Sequence, residues 1–166
     1  MSDAAADLGF MRRAIDLALA RMGDTWPNPA VGCVIVRDGV MVAEAATAAG
    51  DQARGATAYV TMEPCGARSS GRTSCAQFLA EAGIARVVVA AVDPSLFASG
   101  RGIERLRQAG LTVETGLLSD DAAILYEGYL HRLETGRPLV RISEDGAGFD
   151  ARFAAAPRAD LAMELK

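Results

Sequence analysis

Histidine is almost absent: a chain of 166 residues carries one, His131. Any chemistry that needs an imidazole must pass through that single position. Cysteine is scarce as well, limited to Cys33, Cys65 and Cys75. Three thiols cannot all pair and are too few for a disulfide framework, which points to a reducing, cytoplasmic setting. Runs of Lys or Arg are missing and the net charge is −4, so the concentrated positive potential that nucleic-acid backbones require is lacking. No stretch approaches the roughly 18 apolar residues of a membrane span. The segment from Met1 to Gly9 likewise has neither the charged nor the apolar region of a signal peptide. Neither nucleic acid nor membrane is therefore an expected partner. What is present, 51% hydrophobic and 23% charged residues, is a globular composition, long enough for one domain with its own core.

Apolar residues at Leu8, Met11, Ile15, Leu19 and Met22 keep the spacing of a helix with one buried face. After a glycine- and proline-bearing loop, Ala30 to Val36 reads as a strand, Asp38-Gly39 as a hairpin turn, and Val40 to Ala45 as the antiparallel partner. Thr57 to Thr61 follows as a third strand, then a glycine- and serine-rich loop, then a helix over Cys75 to Ala82 ended by Gly83. Arg86 to Val92 is nearly continuous in apolar residues, as a parallel strand covered on both faces must be. Helix from Gly102 to Ala109, strand from Leu111 to Thr115, and a helix capped by Ser119 and stopping near Gly136 complete the pattern, with Leu139 to Ile142 as a last strand. The alternation predicts an α/β fold, a mixed sheet of about five strands between helical layers. Residues 1–145 form the domain in this reading, and 146–166 a C-terminal tail.

Two motifs carry chemistry: Pro27-Asn28-Pro29-Ala30-Val31-Gly32-Cys33, and Glu63-Pro64-Cys65 followed by Gly71-Arg72-Thr73-Ser74-Cys75. With Gly55 to Thr61, Val92-Asp93-Pro94, Ser99 to Ile103 and Thr135 to Pro138, they run in one order from about Met11 to about Val140. In that order the segments resemble the deaminase half of the bifunctional riboflavin-biosynthesis deaminase-reductases. The resemblance implies the three-layer cytidine-deaminase-like fold. It also implies a zinc-activated water that displaces the amino group of a phosphoribosylated diaminopyrimidine. Such a site takes one His and two Cys as ligands, with a non-ligating Glu to move the proton. Cys65 and Cys75 match the two thiolates, Asn28 the substrate-binding asparagine, and Arg72 a cation facing the phosphate. Asp93 matches as well, whereas Ser95 stands where the family has an asparagine that helps hold the substrate.

The histidine of the family's His-x-Glu has no counterpart. Val42-Ala43-Glu44 is the nearest match, with an isopropyl group in the ligand's place, and Glu44 reads either as a relic of the acid-base or as a solvated strand residue. His131 lies in the segment that corresponds to an outer helix. Length agrees with this: only eleven residues, Ala46 to Ala56, join the second strand to the third, where a helical crossover ordinarily takes at least a dozen. The helix that presents His and Glu is expected to be cut to a turn or two, or lost. Cys65 and Cys75 are separated by nine residues, and Trp26 stands beside Asn28 as a possible plug of the substrate site or a simple packing residue. The start at Gly100 to Ile103 can offer free N–H groups to an anion or act as an ordinary cap, and Cys33 reads as a small buried hydrophobe.

The leading expectation is a member of this family that has lost zinc and deaminase activity and is kept as a binding or scaffolding domain, without a cofactor. The rival is a zinc-dependent deaminase whose third ligand has been rebuilt from Cys33 or Glu44. Both readings share a small phosphorylated pyrimidine-like ligand, a cytoplasmic location and assembly into homo-oligomers. An RNA-acting deaminase is disfavoured by the net acidity.

Overall fold

The computed structural model describes residues 4–22, 24–25, 28–68, 71–96 and 98–139. Trp26, the strand expected from Leu139 to Ile142 and the tail 146–166 fall wholly or largely outside these residues. The chain begins with helix α1, Ala4–Ala20, whose buried face is Asp7, Met11, Ala14 and Ala18. Of the expected stripe only Met11 is buried; Leu8 and Ile15 are half-buried and Leu19 is exposed, so the face is turned by about one residue from the one the large apolar side chains suggest. Strands β1, Cys33–Arg37, and β2, Val40–Ala43, form the hairpin. At its turn both Asp38 (φ 53°) and Gly39 (φ 76°) are left-handed, the conformation that selects Asp-Gly. Strand β3, Thr57–Met62, helix α3, Cys75–Glu81, strand β4, Arg86–Ala91, helix α4, Arg101–Gln108, strand β5, Thr112–Thr115, and helix α5, Ser119–Thr135, follow. Between β2 and β3 the crossover holds only a four-residue helix α2, Ala46–Ala49, and a 3-10 turn, Gly50–Ala53. The expected truncation of that helix is therefore present.

The sheet order is β2-β1-β3-β4-β5, with β1 antiparallel to both neighbours and β3, β4 and β5 parallel. Side chains alternate across it with the two-residue period of a strand. Ala58, Val60, Val87 and Val89 pack with Ala49, Ala53, Ala76, Leu79 and Leu106 on one face. Val34, Val36, Tyr59, Val88 and Ala90 pack with α1 and α5 on the other, against Met11, Ala14, Ala122, Leu125 and Tyr126. Burial on both faces explains the unbroken apolar run of β4. One local expectation is corrected. Ser119 does not cap α5; the preceding Leu118, with φ 56°, holds that position without a side-chain bond, and Ser119 is the first helical residue.

At the opposite end of the sheet from the cysteines, Asp7 on α1 is buried and accepts from the Tyr59 hydroxyl and from Arg86. Burial, then the hydrogen bond and the charge of Asp7, push the Tyr59 phenol up to about 12. Between pH 10 and 12 the unfolded chain loses this proton while the fold keeps it, so folding stability falls as pH rises. Two units correspond to about 2–3 kcal/mol. Urea titrations at pH 8 and pH 11 should show about half of that loss in the parent, roughly 1.4 kcal/mol, since pH 11 lies one unit above the unfolded value, and Tyr59→Phe should remove much of the difference; an unchanged pH dependence would contradict this assignment.

Candidate active site

The parallel strands β3 and β4 end side by side, where the Glu63 N–H donates to the Ala91 carbonyl at 2.8 Å. Carboxyl ends of parallel strands are where α/β folds place ligands. Beyond β3 the chain runs through Glu63, Pro64 and Cys65, and α3 brings Cys75 back to it. The Cys75 N–H donates to Cys65 Sγ at 3.3 Å, and the Ala76 N–H to the Cys65 carbonyl at 3.2 Å. Ser74 fixes the start of α3 by accepting from the Gln77 N–H at 3.2 Å. Arg105 of α4 secures the same turn, donating to the Gly66 carbonyl at 2.6 Å and to Ser74 Oγ at 3.2 Å.

Both thiols are half-buried, and Arg68 donates to Cys75 Sγ at 3.2 Å. Burial pulls the Cys65 thiol upward, but the Cys75 N–H, the Cys75 thiol and the Arg68 cation outweigh it and leave Cys65 below its ordinary value. For Cys75 burial prevails over Arg68, and together with the neighbouring Cys65 it holds the thiol above its ordinary value. The pairing thus acts in opposite senses on the two thiols, favouring loss of the Cys65 proton and opposing loss of the Cys75 proton. Arg68 itself is held more firmly protonated by hydrogen bonds to Cys75 and Cys65.

Glu63 is buried and spans to the start of α4, accepting from the N–H groups of Gly100 at 3.0 Å, Gly102 at 2.9 Å and Ile103 at 3.3 Å. The left-handed backbones of Ser99 (φ 47°) and Gly100 (φ 83°) turn these donors toward it. Of the two readings of the Gly100 to Ile103 start, an anion site or an ordinary cap, the bonds to Glu63 match the cap: the protein's own carboxylate already occupies these N–H groups. Asp93, also buried, accepts from the Ser95 N–H at 2.8 Å and the Tyr129 hydroxyl at 3.4 Å. Thr61 accepts from the Gly32 N–H at 2.9 Å and lies 2.5 Å from the Tyr126 hydroxyl, which donates to the Ala30 carbonyl at 3.1 Å. That network pins the segment following Asn28 to β3 and α5.

Of the residues singled out in the sequence, Cys65 and Cys75 come together, and so do Asp93 and Ser95. Asn28 is exposed in a turn, its N–H on the Thr25 carbonyl at 2.9 Å, and Arg72 is exposed on the loop before α3. Glu44 lies one residue beyond β2 rather than on the strand, in an exposed ion pair with Arg13 of α1. His131 is on α5, where it lines an open groove of about 450 Å³ with Ile124, Glu127, Leu130 and Glu134. Among the described residues no three of His, Cys, Asp and Glu converge as a metal shell. Neither Cys33 nor Glu44 therefore completes the pair. Two thiols with a guanidinium against one of them do not fit a catalytic zinc, which takes three protein ligands. Glu63, Arg68 and Tyr126 were not anticipated as site-building residues. Arg68 carried a signal, being the first cation after Cys65; Glu63 and Tyr126 act through contacts that span 37 to 96 residues and left none.

This sheet order and helix arrangement define the class, the cytidine-deaminase-like fold. Consistent with it, the family model for the cytidine and deoxycytidylate deaminase zinc-binding region matches residues 40–91. The chain belongs to the riboflavin-biosynthesis branch of that family, the diaminohydroxyphosphoribosylamino-pyrimidine deaminases. The evidence is 40% identity to the enzyme of that name from Buchnera aphidicola, covering 80% of this chain and 99% of the relative. The riboflavin biosynthesis protein RibD of Escherichia coli is 44% identical over 89% of this chain and 43% of its own length. A solved RibD structure from Acinetobacter baumannii superposes with a TM-score of 0.77 at 40% identity, covering 87% of this chain and 46% of that one. The chain thus spans less than half the length of these two RibD relatives. Among the described residues no helix is long and apolar enough to cross a membrane.

Proposed function

We propose that this chain is a riboflavin-type deaminase domain that binds a small phosphorylated pyrimidine-like ligand without hydrolysing it, and that it works without zinc. The observation that carries this reading is the sulfur pair, which meets an arginine and not a third ligand. A hydrolytic zinc needs three protein ligands, an open position for water and a carboxylate free to move a proton. Among the described residues no third donor joins the two sulfurs, and Glu44, beside the truncated crossover, is paired with Arg13. Asn28, Arg72 and the Asp93–Ser95 turn are the ligand contacts in this reading. The domain acts in the cytoplasm, as an assembly of copies and away from nucleic acid.

A second reading is favoured by the 40% identity to the complete Buchnera deaminase and by the convergence of both cysteines: an active deaminase with a rebuilt metal site. One experiment separates the two. The chain is purified from zinc-supplemented medium, its metal is quantified, and ammonia release from the diaminohydroxyphosphoribosylamino-pyrimidine is followed at high protein concentration. The expected result is zinc far below one per chain and no ammonia above the blank. The same compound at a hundredfold excess over its Kd should raise stability by about 2.7 kcal/mol. One zinc per chain, lost with the activity in Cys65→Ser, would establish the second reading.

A further inference from the structure

Cys65 and Cys75 are held together by contacts that no metal supplies. The Cys75 N–H on Cys65 Sγ, 3.3 Å away, brings the Cα of Cys75 within about 4.8 Å of that sulfur, given an N–Cα bond of about 1.46 Å. A second backbone bond, from the Ala76 N–H to the Cys65 carbonyl at 3.2 Å, holds the two segments together. Both are half-buried and open to small reagents, and Arg68, which is exposed, closes the pair from outside. The backbone that presents them is secured on both sides: Cys65 follows β3 and the buried Glu63, while Cys75 opens a helix capped by Ser74. Short reach and preset geometry are what a disulfide requires.

We propose that Cys65 and Cys75 form an oxidisable dithiol, a modification site that a hydroperoxide converts to an intramolecular disulfide. This rests on the zinc-free reading above, since a bound metal would occupy both sulfurs. In the first step one sulfur attacks the peroxide; an S–O bond forms, the O–O bond breaks, and the departing oxygen takes up the thiol's proton and leaves as water from hydrogen peroxide or as an alcohol from an organic hydroperoxide. The second sulfur then attacks the first; the S–S bond forms, the S–O bond breaks, and water leaves. Two thiols lose two electrons and the peroxide gains them. Cys33 stands apart on β1, packed at the edge of the core, and is no part of this chemistry.

The test uses the full chain, with zinc quantified in the same sample before hydrogen peroxide is added in slight excess. Titratable thiols should fall from three to one, and peptide mapping without reductant should join Cys65 to Cys75, with recovery of all three thiols after reduction. In Cys75→Ser the reaction should stop at a sulfenic acid on Cys65, trapped by dimedone. Metal-free protein that keeps three thiols, or that links either cysteine to Cys33 or to a second chain, overturns the dithiol and leaves the zinc-free reading standing. Protein that carries one zinc per chain and resists peroxide until chelated overturns that reading itself.

Discussion

Arg86→Ala should destabilise the fold by about 3–5 kcal/mol, the usual cost of removing one partner of a buried ion pair. The Arg86 guanidinium donates to both oxygens of Asp7, at 3.1 and 2.7 Å, and to Glu114 at 2.7 and 2.9 Å. The Asp7 and Arg86 side chains are only 12% and 16% exposed, whereas Glu114 is 53% exposed. The loss therefore comes from Asp7, left charged in the core with the Tyr59 hydroxyl as its remaining side-chain donor from this network. Adding Asp7→Asn to Arg86→Ala should recover part of the stability, because the stranded charge is what costs most. Glu114 contributes little, being largely solvated. Arg86 holds its carboxyl below the usual range, so its small share persists at neutral pH and is lost as pH falls through that lowered value. Thermal melts should show a drop on the order of 10 °C for Arg86→Ala. A change under 1 kcal/mol would mean that Asp7 finds solvent and that this network is not what ties α1 to the sheet.

Local signals in the sequence reached the fold more fully than the site. Asp38-Gly39 fixes its own turn, the apolar run from Val87 demands cover on two faces, and eleven residues cannot hold a full helix with two loops. Each of these consequences is contained within one short segment. The site is built by pairings that no periodicity encodes. Glu63 sits in a motif whose obvious content is Pro64-Cys65, yet its carboxylate caps a helix that begins 37 residues later. Tyr126 looks like one more apolar residue of α5, and its hydroxyl orders the loop after Asn28. A missing imidazole is a matter of composition; the arginine that sits on one of the thiols gets there by the fold of the loop between Cys65 and Cys75, which no local pattern encodes.

Gly102→Ala should damage the site severely through a single methyl group. A Cβ built at Gly102 lies 1.7 Å from the Pro64 carbonyl oxygen, 2.9 Å from its carbon and 3.2 Å from Glu63 Oε1. The obstacle is backbone, which cannot rotate aside as a side chain would. Either α4 retreats and stretches the 2.9 Å bond from its N–H to Glu63, or the segment Glu63 to Cys65 shifts and carries one thiol away from the other. Overpacking ordinarily costs about 1–3 kcal/mol, and an obstruction by main chain belongs at or above the top of that range. Gly128→Ala provides the control, since nothing lies within 4 Å of a Cβ there and the position is inside α5. The same chemical change should raise stability at Gly128 by about 0.5–1 kcal/mol, through the better helix propensity of alanine. Urea midpoints of the two variants should therefore move in opposite directions. Equal and small shifts would show that α4 and the Pro64 turn slide apart freely, and that the Glu63 cap does not hold Cys65 in place.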